Sequence, residues 1–399
     1  MRLAPKDENE VAEAIRAANA ANAPLKINGS GSKTQLGRPS LGDELSLRAL
    51  TGITLYEPEE LVLSARAGTP LREIETLLHA HNQHLAFEPI DYGPVLGLPS
   101  EQGTVGGLVA INASGPRRLK AGAARDNLLG FRCVNGRGEI VKSGGRVMKN
   151  VTGYDLSKLI AGSYGTLAAL TEVTLKVLPR PETEQTFLLL GLDEKTGLAA
   201  LRQVSGAAVE ASALALLPEG AAPLQRDANV AAIRLEGPEI SVTQRVEDLR
   251  HLLKSRGGSA EILRQAESAA LWLALRSASP VAHLTGHVWR VSLAPTEGLA
   301  LLSGLREMSA PLLGHFYDWA GGLVWLCLEE AHDAHALRLR AIVDRLGGHA
   351  TLIRASADVR SACEVFHPQP PALAALTQRV KESFDPKHIL ERGRLRVEF

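Results

Sequence analysis

The chain has 399 residues, and 44 Lys+Arg balance 44 Asp+Glu to a formal net charge of zero. That length suggests two or three domains with a sizeable core, and the charge balance argues against a broad nucleic-acid-binding surface. Hydrophobic residues at 45% and charged residues at 22% exclude a disordered chain, while aromatic residues at 4% leave the core to Ala, Leu, Val and Ile.

The first predicted helix runs from Asp7 to Asn19, with Val11, Ala14, Ile15 and Ala18 at helical spacing. Leu25 to Ile27 reads as a short strand entering the turn Asn28-Gly-Ser-Gly-Ser-Lys33. Leu61 to Ala67 reads as a strand. A helix follows, capped by Thr69, with Pro70 in its first turn and Leu71, Ile74, Leu77 and Leu78 on one face. Phe131–Asn135 and Glu139–Val141 form a hairpin about Gly136-Arg-Gly138, and Leu170 to Leu178 is a strand ending at Pro179-Arg-Pro181.

Beyond this point the texture changes. Strand candidates at Phe187–Leu192, Val230–Leu235, Trp289–Leu293 and Leu323–Leu328 alternate with helical stretches around 195–205, 240–256, 295–307 and 331–346. The alternation suggests an α+β, ferredoxin-like layer, with no internal repeat in the sequence. Pro368 to Pro371 then sets off a last segment of helix and extended tail. The expected division is 1–182, 183–367 and 368–399.

Cys133, Cys327 and Cys363 are far apart, so neither a disulfide framework nor a CxxC zinc or iron–sulfur site is expected, and a reducing compartment fits best. The N-terminus turns polar at once and no run of 18 apolar residues occurs. The expectation is a cytoplasmic protein without a signal peptide or membrane span, held at the inner membrane face only through partners.

Glycine carries the functional signal. Of 37 glycines, 21 lie between Gly29 and Gly165, several in dense groups. Glycine permits tight turns and close approach of backbone to a ligand. The turn Gly29-Ser30-Gly31-Ser32-Lys33 follows a strand and suits a phosphate. It is neither a Rossmann fingerprint, lacking a third glycine, nor a P-loop, since Ser32 stands where a glycine should precede the lysine. The segment Gly103-Thr104-Val105-Gly106-Gly107 opens a short apolar helix and runs on to Asn112-Ala-Ser114-Gly115. Its expected donors are the Thr104 hydroxyl and the N–H groups of Gly106 and Gly107; the bland alternative is a tightly packed helix start.

Together with the runs Lys149-Asn-Val-Thr-Gly-Tyr-Asp-Leu-Ser-Lys-Leu159, Gly162-Ser-Tyr-Gly-Thr-Leu167 and Thr171–Pro179, these motifs resemble the FAD-binding domain of the p-cresol methylhydroxylase/vanillyl-alcohol oxidase (PCMH) type. Residues 381–394 resemble that family's C-terminal segment. Within its 2-hydroxy-acid-oxidising branch, the sequence is similar to the E-type flavin subunits of bacterial glycolate oxidases. It has no His-x-Gly-Asp-Gly-Asn-x-His-like metal motif of the D-type subunits, and no metal site is expected.

The resemblance implies a two-subdomain FAD-binding domain, a smaller ferredoxin-like α+β domain and a C-terminal segment returning to the flavin domain. It implies FAD contacts from Gly29, Ser30, Gly31, Ser32, Lys33, Pro89, Gly103, Thr104, Val105, Gly106, Gly107, Asn112, Ser114, Gly115, Gly165, Thr166 and Val173. No histidine stands in the first loop, so FAD is expected to be non-covalent. Implied partners are a D-type catalytic flavoprotein, an iron–sulfur subunit and a small 2-hydroxy acid. Glu391-Arg392-Gly393 replaces the family's usual Asn-Pro-Gly, which leaves the tail's role open, and Ala168 replaces a glycine. Lys149, Tyr154 and Asp155 suit either a structural role over the flavin or acid–base work. His79, His81, His84, His283, His287, His332 and His335 read as ordinary surface or hydrogen-bonded histidines, Asp318-Trp319 as a structural corner or subunit contact, and Cys133 as core. Three functions compete: a flavin subunit of a glycolate-oxidising complex, a self-sufficient oxidoreductase for another 2-hydroxy acid, and a flavin-free scaffold.

Overall fold

The computed structural model describes residues 1–145, 154–307 and 311–398. Near the N-terminus, β1 (Arg2–Leu3), β2 (Leu25–Asn28) and β3 (Asp43–Ser46) make a parallel sheet in the order β1-β3-β2. The helix Glu8–Ala21 buries Val11, Ala12, Ile15 and Ala18 on one face, and Asp7 caps it by accepting the Glu10 N–H at 2.9 Å.

A second sheet combines β4 (Ile53–Glu57), β5 (Val62–Arg66), β7 (Leu128–Asn135), β8 (Ile140–Gly144) and β9 (Ala168–Lys176) in the antiparallel order β4-β5-β9-β7-β8. β6 (Gln83–His84) pairs separately with β10 (Leu178–Pro179). Between β5 and β6, the helix Leu71–Ala80 buries Ile74 and Leu78. Thr69 does not cap it: its hydroxyl accepts the Gly52 N–H at 3.0 Å and donates to the Arg66 carbonyl at 2.7 Å, and Pro70 leads into the helix instead.

The rest of the chain builds one eight-stranded antiparallel sheet, twice the strand number the sequence suggests. Its strands are β11 (Thr183–Leu190), β12 (Ala213–Leu217), β13 (Val230–Gly237), β14 (Ser259–Arg264), β15 (His287–Ser292), β16 (Leu312–Asp318), β17 (Leu323–Leu328) and β18 (His349–Arg354). The order is β14-β11-β13-β12-β16-β17-β15-β18. Each half runs strand, helix, strand, strand, helix, strand, with the same internal order, so the layer is two ferredoxin-like units side by side. Among the described residues, the strands of the two halves pair only at Leu216 and Tyr317. The topology therefore repeats although the sequence does not.

One face of this sheet packs on its own helices, through Leu198, Leu201, Val246, Leu301, Leu339 and Ile342. The opposite face, with Ala215, Ala232, Val288, Phe316 and Trp325, shares a core with the five-stranded sheet. Burial on both faces explains why β12 (Ala-Leu-Ala-Leu-Leu) and β17 lack polar alternation.

After the helix Pro371–Phe384, the chain returns to the first sheet. The Leu25 N–H donates to the Ile389 carbonyl at 2.7 Å, and Leu390 bridges Leu25 in parallel. Lys381 is fully buried, donating to the carbonyls of Thr166 (2.7 Å) and Leu390 (3.1 Å) and pairing with Asp385 at 2.6 Å. No helix among the described residues is long and apolar enough to cross a membrane.

Candidate functional site

The two glycine segments meet. Gly29 lies so close to Thr104 that a Cβ there would stand 2.5 Å from Thr104 Oγ1, and the Ser30 hydroxyl donates to the Gln102 carbonyl. Gly29, Gly31, Ser32, Lys33, Thr104 and Gly107 line a cavity of about 80 Å³. Ser30, at the exposed outer turn, lines it too. An adjoining cavity of about 70 Å³ adds Gly106, Ser163, Gly165 and Ala168, with Tyr164 at both.

The donors differ from expectation. The Gly106 N–H donates to the Ala67 carbonyl at 2.9 Å, the Val105 N–H to the Thr69 carbonyl at 3.0 Å and the Gly107 N–H to Thr104 Oγ1 at 3.4 Å. A Cβ on Gly106 would stand 2.6 Å from the Ala67 Cβ, so this glycine serves close packing of the helix Val105–Ala110 on the end of β5. In the first loop, by contrast, no hydrogen bond among the described residues takes up the N–H groups of Ser30, Gly31, Ser32 or Lys33. Consecutive unused amides form a nest for an anion. Lys33 folds toward Gly103, its ammonium making one hydrogen bond, to Ser32 Oγ at 3.4 Å. Burial pushes that ammonium down to about 8, opposed by Asp91.

Other expected contacts lie elsewhere. Val105 and Val173 are fully buried in the core, Val173 pairing with Ala65 and Phe131. The Thr166 side chain is buried on the Ser163 carbonyl at 2.7 Å. Pro89 shares a smaller cavity with Lys33 and Gly103. Asn112 Oδ1 accepts the Arg125 N–H at 2.9 Å, and Ser114 accepts from Arg118 at 3.3 Å. Gly115 sits against Glu88, where a Cβ would stand 2.2 Å from the carbonyl oxygen. Of these three, Gly115 lies at the seam with the large sheet, its carbonyl accepting the Trp319 Nε1–H at 3.2 Å. Lys149 to Gly153 lie outside the described residues. Tyr154 is 91% exposed, and Asp155 caps the helix Leu156–Ile160 by accepting the Lys158 N–H at 3.2 Å.

An ion cluster locks the seam. Arg234, 1% exposed, donates to both oxygens of Glu88 at 3.0 and 2.8 Å and lies over the Trp272 ring. Arg117 pairs with Glu236. Burial alone would raise the Glu236 carboxyl, but Arg234 and Arg117 outweigh it and hold the group down at about 2. Burial, then Arg117, pushes neighbouring His84 down to about 4. A cavity of about 520 Å³ opens beside the cluster, lined by Glu75, His84, Glu184 and Arg276 among others.

Residues 1–144 match the FAD binding domain family. The chain is 36% identical over 389 residues to the glycolate oxidase subunit GlcE of Escherichia coli (strain K12), covering 97% of this chain and 96% of that one. The chain belongs to the GlcE family. The glycolate oxidase subunit GlcD of Bacillus subtilis (strain 168) is 31% identical over 192 residues, 47% of this chain and 39% of that one. The 4-ethylphenol oxidase of Gulosibacter chungangensis shares the fold, with a TM-score of 0.68 at 13% identity over 98% of this chain and 88% of that one.

FAD is the cofactor of this family, and the residues of this GlcE-type chain fit it: a nest of unused amides lies beside a half-buried ammonium that no carboxylate among the described residues approaches within ion-pair distance. The tail has a role that its departure from the usual motif concealed. Glu391, 1% exposed, accepts the Ile27 N–H at 2.6 Å and the Arg394 guanidinium at 2.9 Å. Arg394 in turn donates to the carbonyls of Thr34 and Leu36, each at 2.9 Å. An ion pair thus braces the first loop from behind. Both residues also line the loop cavity, and only their placement three apart in the returning segment hinted at this. Among the described residues no group of three His, Cys, Asp or Glu is arranged to hold a metal. His287 bonds the backbone of Ala331, and His81 stacks edge-on against Tyr56.

Proposed function

We propose that this chain is the FAD-holding subunit of a glycolate-oxidising complex. Bound FAD supplies the two-electron acceptor for oxidation of glycolate to glyoxylate. Residues 1–182 hold the cofactor, 183–367 cover it and face partners, and 368–399 brace the phosphate loop. The free amides of Ser30 to Lys33 take the pyrophosphate, and the Lys33 ammonium neutralises it across from Gly103 and Gly107. Asn112, Ser114 and Gly115 follow the cofactor toward the seam, and Gly165 with Tyr164 borders the inner cavity. Attachment is non-covalent. Electrons leave through an iron–sulfur partner, with a D-type flavoprotein in the same complex, and the assembly is cytoplasmic or peripheral at the inner membrane face.

The observation that carries this reading is the unused amide nest beside Lys33, which has no carboxylate partner among the described residues. Its test is the visible spectrum of the purified chain after FAD reconstitution, followed by glycolate without oxygen. A yellow protein that releases all its flavin on acid precipitation, and is reduced by glycolate when partner subunits are present, supports it. A colourless protein leaves a scaffold. Bleaching by glycolate in the isolated chain makes the subunit self-sufficient and removes the need for partners in the oxidation step.

A further inference from the structure

A carboxylate outside both glycine segments bears on the pair of them. Asp91 spans the loop 91–101: its Oδ1 accepts the Gly93 N–H at 3.0 Å and its Oδ2 the Glu101 N–H at 2.8 Å. The loop so closed is tight. A Cβ on Gly93 would stand 2.4 Å from the Pro99 carbonyl oxygen, and Glu101 is held at φ +59°, left-handed backbone that is uncommon for a glutamate. Val95 and Leu96, in the middle of the loop, are buried in the core, so it is anchored there as well as at its ends.

The second glycine segment hangs directly from this clamp. Gln102 follows Glu101, and its carbonyl accepts the Ser30 hydroxyl of the first loop. Gly103 comes next, where a Cβ would stand 3.2 Å from Lys33 Nζ. Asp91, Lys33 and Gly103 line one small cavity of about 20 Å³.

The charged groups around Lys33 single out the same carboxylate. On that cavity stand Arg72 and Glu75 of the helix Leu71–Ala80, Asp91 and Glu101 of the loop, and Arg276 of the helix Gln265–Arg276; Glu391 and Arg394 stand on the loop cavity. Glu75 is paired with Arg276 at 3.5 Å and Glu391 with Arg394 at 2.9 Å, while Arg72 and Glu101 are exposed. Asp91 accepts only from neutral amides and has no ion pair among the described residues. Its charge is what opposes the effect of burial on the Lys33 ammonium. It acts from beyond ion-pair distance. A carboxylate in contact would occupy the ammonium's donors; one further off supports the charge and leaves them free for a diphosphate.

We propose that Asp91 is a positioning residue of the phosphate seat: it sets the second glycine segment on the first loop and stands as counter-charge to Lys33 without taking its donors. This deepens the flavin reading above and rests on it.

Titrating FAD into the flavin-free full chain between about pH 6 and 10 tests it, in wild type, Asp91→Asn, Lys33→Met and the double variant. Without the carboxylate, Lys33 sheds its proton at lower pH. In Asp91→Asn the fall of FAD affinity with rising pH should therefore set in below the wild-type onset near 8, leaving FAD roughly 3- to 10-fold weaker at that pH. The Lys33→Met background should erase this shift and keep only a pH-independent loss from the slackened loop. Each profile is read against itself, so a general loss of affinity does not imitate the shift. Where Asp91→Asn folds poorly, Asp91→Glu, which keeps the charge, should hold the wild-type onset. Superimposable pH profiles in wild type and Asp91→Asn overturn the proposal, even with a lower denaturant midpoint, as does a shift that survives Lys33→Met. A wild-type chain that takes up no FAD at any pH sinks the flavin reading itself, an outcome distinct from FAD binding that ignores Asp91.

Discussion

The glycine-rich half and the eight-stranded half hold themselves together by different means. In the first, backbone meets backbone and short side chains: Gly29 against Thr104, Gly106 against Ala67. In the second, the sheet is buried on both faces, and its attachment to the first half is fixed by buried charge, with Arg234 and Arg117 crossed on Glu88 and Glu236. The difference teaches where each half is vulnerable. Damage to the first should show as lost cofactor, and damage to the second as lost stability.

The largest effect expected is on the seam. Arg234→Ala strands Glu88 in the interior and should cost about 3–5 kcal/mol, read as a fall in the denaturant midpoint. Unchanged stability would remove the lock. Next, Glu391→Ala leaves Arg394 without its carboxylate and should cost about 3 kcal/mol, while also lowering FAD occupancy because the first loop loses its brace. Stability lost with full FAD affinity would confine the tail to a structural role. Gly29→Ala drives a methyl group onto Thr104, and a strain of about 1–3 kcal/mol should weaken FAD roughly 10- to 100-fold with little change in the unfolding midpoint. The reverse pattern would break the comparison between halves.

Two pH effects are smaller and differ in sign. Lys33 is held near 8 without flavin, so FAD binding must recharge it above that pH. FAD affinity should fall as pH rises through about 8, by at most about tenfold per unit, and Lys33→Met should flatten the slope. His84 is held below its ordinary 6.5, at about 4. Its contribution to stability is present above pH 6.5 and is lost as pH falls toward 4, with Glu236 following at lower pH. An unfolding midpoint that is flat from pH 7 to 4 would contradict the seam's electrostatics.

Legibility in the sequence divides along the same line. The first loop, the hairpin at Phe131–Val141 and the helix at Asp7 were readable because local rules, such as turn glycines, alternation and helical spacing, govern them. The strands at Ala213–Leu217 and Leu312–Asp318 were not. A strand buried on both faces loses its period, and Ala-Leu runs suit a helix as well as a strand. Both glycine loops read as phosphate seats, because glycine alone does not tell which N–H is already bonded. At Gly106 close packing took the glycine, and at Gly31 the left-handed backbone at φ +83° calls for one while the space about it stays open. The brace by Glu391 and Arg394, like the counter-charge of Asp91 to Lys33, joins residues far apart in sequence, and no local pattern announces such pairs.

The central claim is that the first loop is a flavin phosphate seat. Titrating FAD into the flavin-free chain by visible absorbance, side by side with Gly29→Ala, tests it most directly. The account predicts saturable, non-covalent binding of a single FAD in the wild type and a 10- to 100-fold weaker curve in the variant. A wild-type chain that binds no FAD, or a variant with an identical curve, would contradict it.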